Sequence, residues 1–361
     1  MNNTFTKLSL MLGVLLLVGA GCISFKGEGS TDAEFGVWKS VDGAASWEKA
    51  SAFPTAQGVG DISNIKVQEL ILDPSDRFAL YMGSITQGLF FTYDGATGWQ
   101  RVREPLLREG RISAVAVDPI DKCTLYAARA QRLAKSEDCG RTFDMETYVE
   151  SRGDVVISDV EIDWFNPNVI YIANTKGEIL KSADGGGTWA TLYRNGGFIR
   201  DLVLDNTDSR IIMATTANRG IKRSVDGGVN WVDVLDEGYE QYKGITEMRN
   251  MEQTEDGSSY WAITAHGLIR SLDRGATWEV VPLLTPPGSS AVTALAVDPR
   301  DGNHVVYTSG STFYTSVNAG ARWDTEKMPS SARAFQLTID PKDSSTIYMG
   351  MREVEQTQGM F

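Results

Sequence analysis

Histidine is nearly absent: the 361 residues contain two, His266 and His304. That scarcity argues against a His-rich metal centre. The chain carries no H-E-x-x-H, no G-x-x-x-x-G-K-[ST] and no G-x-S-x-G, so the zinc-protease, phosphate-loop and hydrolase-elbow chemistries lack their signatures. Basic residues are the minority, 34 Lys and Arg against 47 Asp and Glu, for a net charge of −13. Such a balance favours solubility and does not suit a nucleic-acid partner. The longest apolar run, residues 8–18, is too short to cross a bilayer comfortably. No cofactor is expected from any of these features.

Glycine, by contrast, is abundant at 36 residues, and many of these glycines belong to one repeated phrase. Ser182-Ala183-Asp184-Gly185-Gly186-Gly187-Thr188-Trp189 is a hydroxyl, an Asp two residues on, glycines, and an indole five residues after the Asp. The Asp can accept backbone N–H groups just downstream, glycine supplies a left-handed turn, and the Trp folds back over the hairpin. The phrase recurs at Ser40-Asp42-Trp47, Thr92-Asp94-Trp99, Ser136-Asp138-Phe143, Ser224-Asp226-Trp231, Ser271-Asp273-Trp278 and Ser316-Asn318-Trp323. Its key residues, Asp42, Asp94, Asp138, Asp184, Asp226, Asp273 and Asn318, recur every 42 to 52 positions. Units of that length holding several short strands are the mark of a propeller. The phrase resembles the Asp-box, or BNR-type, repeat, and the resemblance covers nearly everything after residue 35. Seven copies imply an all-β, seven-bladed propeller with four-stranded blades, a single domain over residues 34–361, and a structural role for all seven boxes.

The unit is clearest around residues 111–148. RISAVAVD reads as a first strand, TLYAAR as a second, residues 132–136 as a third and 142–148 as a fourth. Asp-Pro pairs at Asp73-Pro74, Asp118-Pro119, Asp298-Pro299 and Asp340-Pro341 mark where first strands stop. The first box, residues 36–49, has no first or second strand before it, and the last unit, residues 335–351, has no box after it. Together they complete one blade and close the ring, removing its exposed edges. The sequence runs on to Gln358-Gly359-Met360-Phe361, which looks like Gln87-Gly88-Leu89-Phe90 entering a third strand. That leaves a surplus tail or a longer protein as alternatives.

Residues 1–22 read as an export signal, with Lys7, the apolar stretch 8–18, and Gly19-Ala20-Gly21 before Cys22. Small residues before a Cys resemble the lipobox of bacterial lipoproteins, although Gly19 stands where Leu is usual. The resemblance implies that Cys22 is lipidated and anchors the chain to the cell envelope. Ile23 rather than Asp after the Cys resembles lipoproteins sent to an outer membrane. Residues 23–33 then form a flexible tether.

Aligning the innermost strands gives an apolar set packed between blades, namely Leu70, Val115, Val160, Leu202, Met248, Leu295 and Leu337. The residues just before them include Glu69, Asp159, Asp201, Glu247 and Gln336, which alternation turns toward the central channel. Glu161 and Arg249 lie two levels deeper in this alignment. Four carboxylates at one level imply either a water-filled polar channel or a metal or ligand site, since like charges brought together need compensation. Arg111, Arg200, Lys243 and Arg333 stand near first-strand starts, at the mouth of the face opposite the boxes. They suit an anionic partner or are scattered solvated charge. Cys123 opens a second strand and Cys139 sits in the box turn after the antiparallel third strand. In an exported protein these two are expected to form a disulfide, worth about 3 kcal/mol in the chain-entropy model, the alternative being two free thiols.

Seven such blades behind an export signal resemble the photosystem II stability/assembly factor family and, more loosely, sortilin-type propellers. Members of the first carry a basic patch on one face. The resemblance implies a non-enzymatic module that binds a protein or glycan partner. The alternative is a glycoside hydrolase, which needs two carboxyl groups about 5–10 Å apart. Sialidases share the boxes but are six-bladed with an early Phe/Tyr-Arg-Ile-Pro, which Phe198-Ile199-Arg200-Asp201 does not match. The xyloglucan-cleaving hydrolases place one catalytic carboxylate on each of two propellers, and this chain contains one.

Overall fold

A computed structural model describes residues 34–194, 197–235 and 237–353. Cys22 and the tail 358–361 lie outside the described residues. Seven antiparallel four-stranded sheets are the blades of a propeller. Blades are numbered by their inner strands, which begin at Val67, Ala114, Ile157, Ile199, Met248, Val292 and Arg333. Each blade runs from the channel outward through four strands, as in the third: Ile157–Ile162, Ile170–Asn174, Glu178–Ser182 and Ala190–Arg194. The second strands are almost wholly buried because each is covered by neighbouring blades on both faces.

The seventh sheet has inner strands Arg333–Asp340 and Asp343–Arg352 and outer strands Gly36–Ser40 and Glu48–Lys49. Trp38 stands opposite Met349 in the pairing of Gly36–Ser40 with Asp343–Arg352. The link from this blade to the first carries a hairpin, Ala52–Thr55 with Gly58–Asp61. It lies on the outer edge of the first blade, where Trp99 N donates to Ala52 O at 2.8 Å and Phe53 meets Phe90 edge to face.

The seven repeat turns are near copies. In each, the hydroxyl of the Ser or Thr bonds Oδ1 of the Asp or Asn, and the N–H four residues after that Asp or Asn donates to the same Oδ1 at 2.8–3.0 Å. Drawing that N–H back forces the two residues after the Asp into left-handed conformation, φ 72° and 101° at Gly185 and Gly186. Every blade has at least one glycine in this pair. The second also lets blades close up: a Cβ on Gly186 would lie 2.5 Å from Thr147 Cγ2 of the preceding blade. The indole reaches the same neighbour, Trp189 Nε1 donating to Thr147 O at 3.0 Å and Trp323 Nε1 to Pro282 O at 2.9 Å. The turns therefore act as mortar between blades.

In the second blade Phe143 replaces the indole and is only partly buried in the core. Here Cys123 and Cys139 are disulfide-bonded, and Cys139 N donates to Cys123 O at 2.9 Å.

Removing residues 34–50 strips two strands from the seventh blade and bares the edge of Asp343–Arg352. The truncated protein is expected to melt lower and to self-associate, measured by calorimetry and sedimentation velocity. An unchanged monomer with unchanged melting would show that these strands do not hold the ring.

Candidate functional site at the channel mouth

The start of six inner strands contains a register shift that gives the inner strand one extra residue against the second strand: Val67/Glu69, Ile157/Asp159, Ile199/Asp201, Met248/Met251, Val292/Ala294 and Ala334/Gln336. Such a bulge re-aims side chains and sharpens the local twist. Its two residues form successive levels of the wall, Arg200 above Asp201 in the fourth blade.

The fifth blade corrects the sequence alignment. Met248 pairs with Thr264 as Ile199 pairs with Thr216, and Met251 pairs with Ala262 as Leu202 pairs with Ala214. Met251 is thus the packed residue, Asn250 matches Asp201, and Arg249 matches Arg200 at the mouth rather than lying deeper. Glu247 precedes the strand and is exposed, so it does not line the channel. The carboxylate this blade contributes is Glu252, which sequence reading missed. Six inner strands close on an Asp, whereas the fifth closes on Thr254, whose N–H donates to Ser259 O at 3.0 Å as Asp205 N does to Ile211 O at 3.1 Å. The turn Thr254-Glu255-Asp256-Gly257 was the available signal.

On the inner strands are five half-buried carboxyls, Glu69, Asp159, Glu161, Asp201 and Glu252. Burial pushes Glu69 up to about 8, reinforced by the charges of Asp159 and Glu252 and opposed by Arg352. Burial also raises Glu252 to about 8. It raises Asp159, Glu161 and Asp201, and the charge of Asp159 adds to the shift of the last two. Gln336 faces the first blade, its Nε2 donating to Gln68 O at 3.2 Å. Among the described residues, no group of three or more His, Cys, Asp or Glu is arranged to hold a metal ion.

At the mouth itself the sign of charge reverses. Burial disfavours the charge of Arg200 and the nearby Arg249 adds to that; Arg249 is disfavoured by burial and then by Arg333. No carboxylate offsets either shift. Arg249, Thr293, Arg333, Ala334, Phe335, Arg352 and Glu353 line a pocket of about 170 Å³ here. The Arg200 guanidinium lies over the Phe198 ring and that of Arg352 over Phe335. Of the four basic residues picked out in the sequence, Arg200 and Arg333 join this group. Arg111 and Lys243 are exposed on the connections leading into their own inner strands.

The seven repeat residues lie on the opposite face. In six blades the turn is tied by a backbone bond to the turn between first and second strands, as Gly95 N to Phe78 O at 2.9 Å. Hydrogen bonds from Thr142 and Thr188 hold Asp138 and Asp184 down at about 2, so these carboxylates are spent within their own turns.

A raised carboxyl keeps its proton longer in the folded protein than in the unfolded chain, so stability is full below pH 4.5 and falls as pH rises toward about 8. The melting temperature is expected to drop across that interval, and Glu252→Gln to reduce the drop. A melting profile flat over this range would contradict the buried-acid wall.

No family model matches the chain. It is 24% identical over 311 residues to an oligoxyloglucan-reducing end-specific xyloglucanase of Emericella nidulans, covering 80% of this chain and 35% of that protein. It is 27% identical over 157 residues to a xyloglucanase of a Paenibacillus species, covering 38% of this chain and 15% of that one. The chain thus spans well under half the length of either relative. Among solved structures it is similar to a GH74 enzyme of Niastella koreensis, with TM-score 0.64, 16% identity, and 79% and 51% of the two chains covered. It is also similar to YCF48 bound to a D1 peptide, with TM-score 0.60, 16% identity, and 81% and 94% covered. At such identities these structures establish the propeller fold.

Proposed function

We propose that the protein is a non-enzymatic binding and assembly propeller that takes an anionic segment of a protein partner at the mouth of its channel. The carrying observation is the pocket at the mouth, lined by Arg249, Arg333 and Arg352 with Arg200 close to Arg249, on an otherwise acidic protein. Holding like charges together costs stability, and an incoming carboxylate relieves that cost by charge-assisted hydrogen bonds. The likeness to YCF48, whose structure was solved with a D1 peptide and of which nearly the whole length is covered, supports a peptide-binding use of this scaffold. In this reading the seven turns are Asp-boxes serving as scaffold, and no catalytic residue is assigned.

The test is fluorescence anisotropy with an Asp/Glu-rich peptide. Wild type is expected to bind with an affinity that falls with salt, and Arg249→Glu/Arg333→Glu to lose at least tenfold, about 1.4 kcal/mol. Equal binding by the variant would refute the site.

A second reading, a glycoside hydrolase acting on extracellular glycans, draws support from the xyloglucanase relatives and the GH74 structure. Release of reducing ends from xyloglucan by the purified protein, with no binding of the acidic peptide, would decide for it.

We further propose that Cys22 carries the lipid that anchors the protein in the bacterial cell envelope. Cys22→Ser is expected to move the protein from the membrane to the soluble fraction on sedimentation of lysed cells. Retention in the membrane fraction would refute lipid anchoring.

A further inference from the structure

The pocket at the mouth has one carboxylate in its lining, that of Glu353, in the company of Arg249, Arg333 and Arg352. A carboxylate beside guanidiniums is expected to pair with them, because charge-assisted bonds to their planar forks are strong. Glu353 is held elsewhere: its Oε2 accepts from Lys66 Nζ at 2.5 Å. Lys66 stands on the connection just before the first inner strand, Val67–Leu72, with its ammonium 5.6 Å from the centre of the Phe35 ring. Arg352 is turned the same way, Nη1 donating to Gln68 Oε1 at 2.5 Å. The end of the strand Asp343–Arg352 and the residue after it are thus both drawn toward the first blade. Among the described residues, Arg249 and Arg333 are left without a carboxylate partner.

We propose that Lys66 is a positioning residue that holds Glu353 off Arg249 and Arg333 and so keeps the mouth open to an anionic partner. The inference rests on the reading of the mouth given above and adds the regulation of that site. Without Lys66, the Glu353 side chain turns onto the two arginines and takes the place of the partner's carboxylate. A carboxylate already tethered beside its cations competes as an intramolecular ligand, at high effective concentration. The balance is fine enough to be set by one residue. Both members of the pair are solvated, 38% and 58% exposed in their side chains, and ion pairs of that kind are individually weak. Lys66 is also absent from the lining of the pocket, so it acts on an incoming anion mainly by where it puts Glu353.

The experiment is a double-mutant cycle on the full chain, read by fluorescence anisotropy with fluorescein-labelled hexaglutamate at low salt. Lys66→Met is expected to weaken binding about fivefold or more, and Lys66→Arg to stay within about twofold of wild type. In the Glu353→Gln background the charged competitor is gone, and Lys66→Met is expected to change binding by less than about twofold. Equal losses in the two backgrounds would overturn the inference, because Lys66 would then act only as a distant positive charge. No loss in Lys66→Met would overturn it as well. A second measurement needs no partner: the guanidinium Nε–H NMR signals of Arg249 and Arg333 in the ligand-free protein. They are expected to move in Lys66→Met and to return in Lys66→Met/Glu353→Gln; signals that stay in place in Lys66→Met would refute the positioning role. If wild type fails to bind hexaglutamate while the arginine signals move as expected, the proposed function falls and the hold of Lys66 on Glu353 stands.

Discussion

The structure depends on the antiparallel pairing of Gly36–Ser40 with Asp343–Arg352. A propeller blade is apolar on both faces and cannot bury either alone, so each needs a neighbour on both sides. Six blades are built from continuous chain. The seventh exists only because the first and last described strands meet, and its cluster joins Trp38 from one end of the chain to Met349 and Met351 from the other. Loss of that contact would expose both faces of the break, and so every other blade relies on it.

Closure also creates the electrostatics of the axis. The second and sixth blades put alanine where the first, third and fourth put carboxyls, and the seventh puts Gln336. Arginines from the fourth, fifth and seventh blades sit at the entrance. Burial favours the neutral form of the carboxyls below, so the wall does little to cancel the positive charge of the entrance.

The repeat turns were legible in the sequence because all their bonds are local: hydroxyl, carboxylate and N–H lie within a few residues of one another. The inner strands were legible where an Asp marks their end. In the fifth blade Thr254 takes that place, and alignment slid by three residues, placing Glu247 in the channel, leaving Glu252 out and sending Arg249 to the wrong depth. The grouping of Arg249 with Arg333 had no sequence signal, because the fifth and seventh blades come together only through the curvature of the ring.

The point where the chain enters the ring has a mechanical consequence. Glu34 is fastened to Ser330, its N–H donating to Oγ at 3.1 Å and its carbonyl accepting from the same hydroxyl at 2.9 Å, three residues before Arg333 begins the seventh inner strand. The chain therefore enters the ring at the rim of the mouth and not on the face of the repeat turns. Residues 23–33, fully extended, reach at most about 40 Å. If the anchor proposed for Cys22 holds, it would be the mouth, and not the face of the repeat turns, that is tied within that radius of the membrane.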